Sequence, residues 1–443
     1  MLMVALAQPR STAEPQSRGW RSPARWLEAQ DLGRGYWVFF SSAFFFDAGF
    51  ATYFFLFNLY LLDYHFNERS IGLIGGALTF GTLLGTLPAG VLAQRLGLRS
   101  LLFFCFISAP LLNALRALWI WEPAQIAIAF LAGLAMCIWG VCYLPAIARL
   151  TGEKNRTAAY SLTFAASIGT SVLGGIVCGY LPRWLAAAGF TLPPARVKLL
   201  ILLAACGIAL AALLPLAFLR IPSRRAEGDV ETGSARRWAG LLQIHPFLRR
   251  YLPLMAVWSA VLAAFTPFAN VYLQRELHIP LSRIGLIFSV TQIVQLGMGL
   301  LTPLIVRATS LMHSIVGMQI AAAVSLGCMA VAWSSTLAIA LYLAFAAAQW
   351  MCTPGLYNLL MNETPDEQRS AAAAMTLFCN ALAGSIATAG TGALITRLGY
   401  KPVLLGIAAI ALVTALLFHL LIVPQQRNPG EKRPSLCAGE GQG

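Results

Sequence analysis

The chain has 443 residues, 58% of them hydrophobic and 11% charged, with a mean hydropathy of +0.71. A soluble globular chain is charged at about a quarter of its positions, so the composition excludes a soluble enzyme or binding domain and defines a polytopic membrane protein. The net charge of +14, from 31 Lys and Arg against 17 Asp and Glu, would suggest nucleic-acid binding in a soluble chain, but no water-facing segment is long enough to fold into a basic domain, so it reads as membrane topology.

Residues 1–35 form a polar arm rich in Pro, Arg, Ser and Gln, with Trp20 and Trp26 among its arginines. Its first stretch, MLMVALAQ, has no basic flank and is too short for a leader's apolar region, so no secretory signal is expected. A helix that spans a bilayer needs about 20 apolar residues. Runs of that kind follow at 36–62, 71–93, 100–121, 124–148, 157–181, 197–219, 251–273, 284–306, 314–333, 335–361, 371–395 and 402–423. They predict an all-α polytopic membrane protein with twelve transmembrane helices. The expected organisation is an arm (1–35), a first six-helix bundle (36–219), a central loop (220–250), a second six-helix bundle (251–423) and a tail (424–443).

Placing the arm, central loop and tail in the cytoplasm puts 22 of the 31 basic residues inside. Lys and Arg resist translocation, so both termini are expected to be cytoplasmic, in the inner membrane of a bacterium. The two bundles repeat one another. Ile-Gly-Leu-Ile occurs at Ile71–Ile74 and again, 213 residues on, at Ile284–Ile287. The same offset relates His65 to His278, Asp63 to Glu276 and Arg156 to Arg369. Two pseudo-repeats in parallel orientation are a transporter signature.

No Cys-x-x-Cys pair occurs among the nine cysteines and no ligand cluster among the five histidines, so no metal site and no cofactor is expected. Neither a nucleophile–base constellation nor a nucleotide-binding motif is present, and neither an enzyme nor an ATP-driven pump is expected.

Ionisable residues deep in a span are costly and mark function. Two spans carry one: Arg116, about four residues from the outer end of the third, and Asp47, midway along the first in the stretch FFFDAGF. Arg116 is expected to snorkel to the headgroups or to line an outer vestibule. Asp47 is too short to snorkel and should face the interior of the bundle. At 100° per residue, Phe54 and Asn58 return to within ~20° of it, a stripe rising ~16 Å. Acid, aromatic and amide on one face suit a cavity for a small polar or amphipathic solute. The other reading is a carboxylic acid held neutral and hydrogen-bonded between helices. A carboxyl that gains and loses a proton would couple transport to the proton gradient; a cation could pair with it instead.

The second-half candidates for the cavity are Asn270 after Thr266-Pro267, Gln292 and Gln295 on one helix face, and Asn380. Gln349, Trp350, Tyr357 and Asn358 surround Thr353-Pro354-Gly355, expected to break its helix and free backbone polar groups near a cavity. Each polar residue could equally serve as an interhelical hydrogen bond, worth ~0.6 kcal/mol on average.

Between the second and third runs stands GVLAQRLGLR, residues 90–99. It resembles the loop signature of the major facilitator superfamily (MFS), with Gly90, Leu92, Ala93, Arg95, Gly97 and Arg99 in register and Gln94 at the signature's acidic position. The stretches TGEKNRTAAYSL and NETPDEQRSAAAAMTL are similar to loops of the same family. The resemblance implies the MFS fold, a secondary transporter working by alternating access, and a conformational latch at Gly90, Gln94, Arg95, Gly97 and Arg99. Gln94 departs from the charged contact usual in that latch. In the family's drug/proton antiporters the fifth helix carries Gly-Pro-x-x-Gly-Gly and the fourth an embedded Arg. Here the fifth reads GTSVLGG and the fourth has no Arg. The expected function is proton-coupled efflux of amphipathic compounds. The alternatives are proton-coupled metabolite uptake and a non-transporting receptor that keeps the fold. The expected partners are a small-molecule solute, protons and the lipid bilayer, with no nucleic acid, and the chain is expected to act as a monomer.

Overall fold

The computed structural model describes residues 32–189, 192–219, 246–365 and 368–422. The tail, almost all of the arm and all but the last five residues of the central loop lie outside them. Twelve helical spans follow in order: α1 Arg34–Asp63, α2 Glu68–Leu96, α3 Leu98–Leu118, α4 Glu122–Leu150, α5 Glu153–Ala187 and α6 Pro194–Ala211 with its continuation Leu213–Phe218. After the loop come α7 Pro246–Phe265, continued past a 3-10 turn by Ala269–Arg275, then α8 Leu281–Thr309, α9 Leu311–Ala330, α10 Ser335–Glu363, α11 Arg369–Leu398 and α12 Tyr400–Leu421. Eleven of the spans are long and apolar enough to cross a bilayer as single helices. The twelfth is α2, whose two parts meet at 48° beside Pro88, where the missing N–H removes a helical hydrogen bond.

The internal repeat extends to backbone detail. The pairs α2/α8, α3/α9 and α4/α10 begin 213 residues apart. His65 and His278, in the turns before α2 and α8, both take positive φ, 61° and 52°. Arg156 donates to the carbonyl eight residues before it, Ala148, and Arg369 to its own equivalent, Met361. Gly97, between α2 and α3, sits at φ 82°, ψ 151°, and its repeat partner Ser310 takes φ 94°, ψ 155°. That region is natural only for glycine and costs a side chain on the order of 1–3 kcal/mol. Ser310→Gly is therefore expected to stabilise the protein by ~1 kcal/mol, read as a higher thermal midpoint in detergent; a lower midpoint would contradict the strain.

Lipid tails are as apolar as Leu, so the helices hold together by close packing of small residues rather than by hydrophobic drive. Where α5 crosses α8, Gly175 and Gly179 face Gly285, and a Cβ on Gly175 would meet the Gly285 carbonyl at 2.8 Å. Where α2 crosses α11, a Cβ on Gly72 would meet the Thr388 carbonyl at 2.7 Å. Both crossings join the first six helices to the second six, and both lie toward the end of the bundle that carries the α1–α2 and α7–α8 turns. The larger apolar core, with Phe55, Leu56, Ile71, Val261, Phe268 and Ile284, draws on both halves there. The smaller core belongs to the first half alone and lies toward the opposite end, around Tyr36, Phe39, Leu102, Ile147 and Leu216.

Arg116 neither snorkels nor lines a vestibule. It is 3% exposed, with its guanidinium 4.2 Å over the Phe57 ring and Nη1 donating to Asn113 Oδ1 at 3.0 Å. The cation–π contact and the amide take the place of water. The eight cysteines among the described residues are all free thiols.

Candidate functional site

Asp47 lies midway along α1, partly buried. The Ser167 hydroxyl of α5 and the Trp139 indole of α4 stand beside its carboxyl. Trp139 is fixed by aromatic neighbours, with Phe46 at 5.2 Å, Phe106 at 5.6 Å and Tyr143 at 4.9 Å between ring centroids. The two ion pairs among the described residues, Lys198–Asp63 and Arg275–Glu68, do not involve Asp47. It is thus an acid beside neutral polar groups, with no ion pair among the described residues. Phe54 is 37% exposed and stacks on Phe50 at 5.7 Å. Sequence reasoning missed Trp139, Tyr143 and Ser167. A signal existed for the first two, because Trp139 and Tyr143 stand four residues apart on the fourth helix and share a face.

Asn58 and Asn270 each bond across to the other half. Asn58 Nδ2 donates to the Pro267 carbonyl at 3.0 Å, and Asn270 Nδ2 donates to the Phe55 carbonyl at 3.1 Å. Each amide bonds the carbonyl three residues before the other asparagine, so the pair is a reciprocal clasp between α1 and α7. Nearer the end of the bundle, Arg275 Nη1 reaches both Glu68 carboxylate oxygens at 2.8 Å, and the Tyr400 hydroxyl donates to one of them at 3.4 Å. Glu68 is 5% exposed. Among the described residues, the hydrogen bonds between the halves all lie between the middle of the bundle and this end. They include Ser289 to Val172 and Ser385 to Gly76, both at 2.7 Å.

α10 is not broken, whereas α7 is interrupted. α10 runs unbroken from Ser335 to Glu363 with Pro354 inside it. Losing one N–H need not end a helix, and Gly355 lets α10 pack closely on Ile315. In α7 the chain passes through a 3-10 turn at Thr266–Phe268. Pro267 has no N–H, which deprives the Ala263 carbonyl of its helical partner. The Thr388 hydroxyl of α11 donates to that carbonyl instead, at 3.1 Å.

Beside the turn lies a cavity of about 400 Å³, lined by residues that include Thr79, Ser259, Pro267, Tyr357, Asn380 and Thr388. Of the sequence candidates, Tyr357 and Asn380 stand in its wall. Gln349 Oε1 accepts from the Thr266 hydroxyl at 3.5 Å, and the Trp350 ring is stacked 6.5 Å from Phe164 of α5. Gln292 and Gln295 are partly buried on α8, and Asn358 is exposed on α10; none of the three is in the wall. The expected latch loop is helical except at Gly97: Gly90, Gln94 and Arg95 lie in the last turns of α2 and Arg99 in the first turn of α3. Gln94 and Arg95 are exposed, no atom stands where a Cβ on Gly90 would point, and Arg99 Nη2 donates to the Ala217 carbonyl at the end of α6, 2.8 Å away.

Twelve apolar spans in two repeats, joined toward one end and leaving a cleft between α2, α7, α10 and α11, define a multi-pass helical transporter. The chain belongs to the Major Facilitator Superfamily, whose family model matches residues 39–388. No curated protein matches it by sequence. Similar solved structures include the nucleoside transporter NupG as its D323A mutant, at TM-score 0.74 and 14% identity over 88% of this chain and 100% of that one. The inward-open xylose transporter XylE from E. coli is similar at TM-score 0.66 and 14% identity, over 87% and 95%. So is a bacterial homolog of the human lysosomal transporter Spinster, at TM-score 0.70 and 12% identity, over 88% and 97%.

Proposed function

We propose that this protein is a proton-coupled secondary transporter that moves a small organic solute across the inner membrane by rocking one six-helix half against the other. The observation that carries the reading is Asp47, an acid midway along an apolar span, beside neutral polar groups and with no ion pair among the described residues. An ionised carboxylate is expensive there. Taking up a proton removes the charge and lets the half that carries it move.

The basic residues of the arm and of the facing ends of α2 and α3, Arg95 and Arg99, favour a cytoplasmic position for that end. On that orientation the joined end faces outward, and the state described is open to the cytoplasm. The Asn58–Asn270 clasp and the Glu68–Arg275 pair then close the outer gate. They must part when the cavity turns outward.

Export of amphipathic compounds is supported by the phenylalanines that line α1, with Phe54 on the same helix face as Asp47. Uptake is supported by the fold shared with a D-xylose–proton symporter, similar at TM-score 0.67. The direction of proton movement decides between them. In proteoliposomes, solute and protons move oppositely in export by antiport and together in uptake. A protein that binds a partner and moves neither would instead be a receptor on this fold.

A further inference from the structure

Where α5 and α8 run on from their glycine crossing toward the open end, a residue of a third helix reaches both of them. The two helices run antiparallel, with Gly175 against Gly285 and the Ser289 hydroxyl donating to the Val172 carbonyl at 2.7 Å. Phe164 lies eight residues before Val172 and Gly297 eight residues after Ser289, ~12 Å along each helix. That count brings Phe164 level, within a turn, with Gly299. Gly285, Ser289, Gln292, Leu296 and Gly299 recur at spacings of four and three, so Gly299 continues the seam of α8 that meets α5. The side chain found there is Trp350 of α10. Its indole rests on Gly299, where a Cβ would meet Nε1 at 3.0 Å and Cδ1 at 3.2 Å. Its ring lies 6.5 Å from the Phe164 ring and within 18° of parallel to it.

We infer that Trp350 is a wedge that keeps the halves apart at the open end, and that closing this end requires its indole to leave so that Phe164 can pack against Gly299. The inference rests on the rocking motion proposed above. Glycine is a poor helix former, and on this seam it makes room, for the indole in the state described and for the Phe164 ring on closure. Trp350 is 36% exposed, so its indole is not locked in on every side. The same helix sets Tyr357 in the cleft wall two turns on, and Gln349 beside the turn in α7. A solute in the cleft therefore bears on the helix that carries the wedge.

Distances between spin labels on the purified full-length protein, in a cysteine-free background, test this by double electron–electron resonance. Labels at Ser100 and His313 read the open end, where both are exposed in the first turns of α3 and α9. Labels at Tyr64 and Lys401 read the closed end. Trp350→Ala is expected to raise the population with the short Ser100–His313 distance roughly two- to tenfold, the range that the contact of one aromatic pair sets, and to lengthen Tyr64–Lys401 in step. Trp350→Phe, a thinner wedge, should fall between wild type and Trp350→Ala. Trp350→Ala/Gly299→Leu refills the space from α8 and is expected to return toward the wild-type distances, a rescue that loss of general packing would not give. Should Trp350→Ala not fold, Trp350→Phe carries the test in the same direction. Distances unchanged in both single variants, an open end that widens, or a refilled variant no different from Trp350→Ala overturns the wedge. Unchanged distances in a protein that transports would sink the wedge alone. Shifted distances in a protein that moves no proton with any solute would sink the transporter reading alone.

Discussion

Asp47→Asn is expected to abolish accumulation of solute while leaving solute exchange across the membrane in place. The asparagine keeps the size and polarity of the side chain and can still meet the Ser167 hydroxyl and Trp139. It cannot carry a proton. Each pH unit across the membrane is worth ~1.4 kcal/mol per proton, or up to ~tenfold accumulation in a one-proton mechanism. With no proton carried, the accumulation ratio falls to about 1 whatever the gradient, because an unlinked gradient supplies no driving force. The assay is radiolabelled-solute accumulation in proteoliposomes with an imposed pH difference, paired with counterflow at equal pH. The counterflow arm separates lost coupling from lost folding. Asp47→Glu, which keeps a titratable group, is expected to retain part of the accumulation. A variant Asp47→Asn that accumulates solute as wild type does, unchanged between pH 6 and 8, would show that the proton is carried elsewhere.

The second large effect is expected at the closed end. Removing both amides with Asn58→Ala/Asn270→Ala deletes two interhelical bonds of ~0.6 kcal/mol each, which shifts the closed–open equilibrium roughly eightfold toward opening that end. Glu68→Gln is expected to do at least as much. It leaves the Arg275 guanidinium facing a neutral amide, although Arg275 is 40% exposed and its charge is partly screened. Spin labels at Tyr64 and Lys401, both at the closed end and both exposed, read the opening as a longer distance in a cysteine-free background. The two sets of changes lie in different bonds between the same halves, and their combination should open the end further than either alone. Distances unchanged in all three variants would mean that the glycine crossings hold the halves without help from these bonds.

The helices were legible because bilayer depth demands long apolar runs, and the observed ends fall within a few residues of the expected ones. The repeat was legible too. Ile-Gly-Leu-Ile and the paired histidines gave the offset that the turns at His65 and His278 then share. Ser310 was not, because nothing in a serine announces a positive φ; only its place opposite Gly97 in the repeat explains the conformation. The break was expected at Pro354-Gly355 and falls at Thr266-Pro267, since a proline removes the same bond in either helix and the packing around it decides whether the helix ends. Asn58 and Asn270 were recognisable as polar residues inside spans, but their partners are backbone carbonyls on another helix, and a carbonyl leaves no mark in a sequence. The same holds for the cavity wall, where the partners of Thr79, Ser259 and Thr388 are also backbone carbonyls. Arg116 read as a surface cation because its distance from the helix end allowed it, while the Phe57 ring that shields it comes from another helix.

Solute-driven proton movement by the wild-type protein tests the central claim most directly. Liposomes containing the protein and a pH-sensitive dye, at equal pH inside and out and with the membrane potential clamped, are given a solute gradient. The account predicts a pH change inside that depends on the protein and on the solute, opposite in sign for antiport and symport, and absent with Asp47→Asn. Solute crossing at full rate with no pH change in the wild type would contradict it.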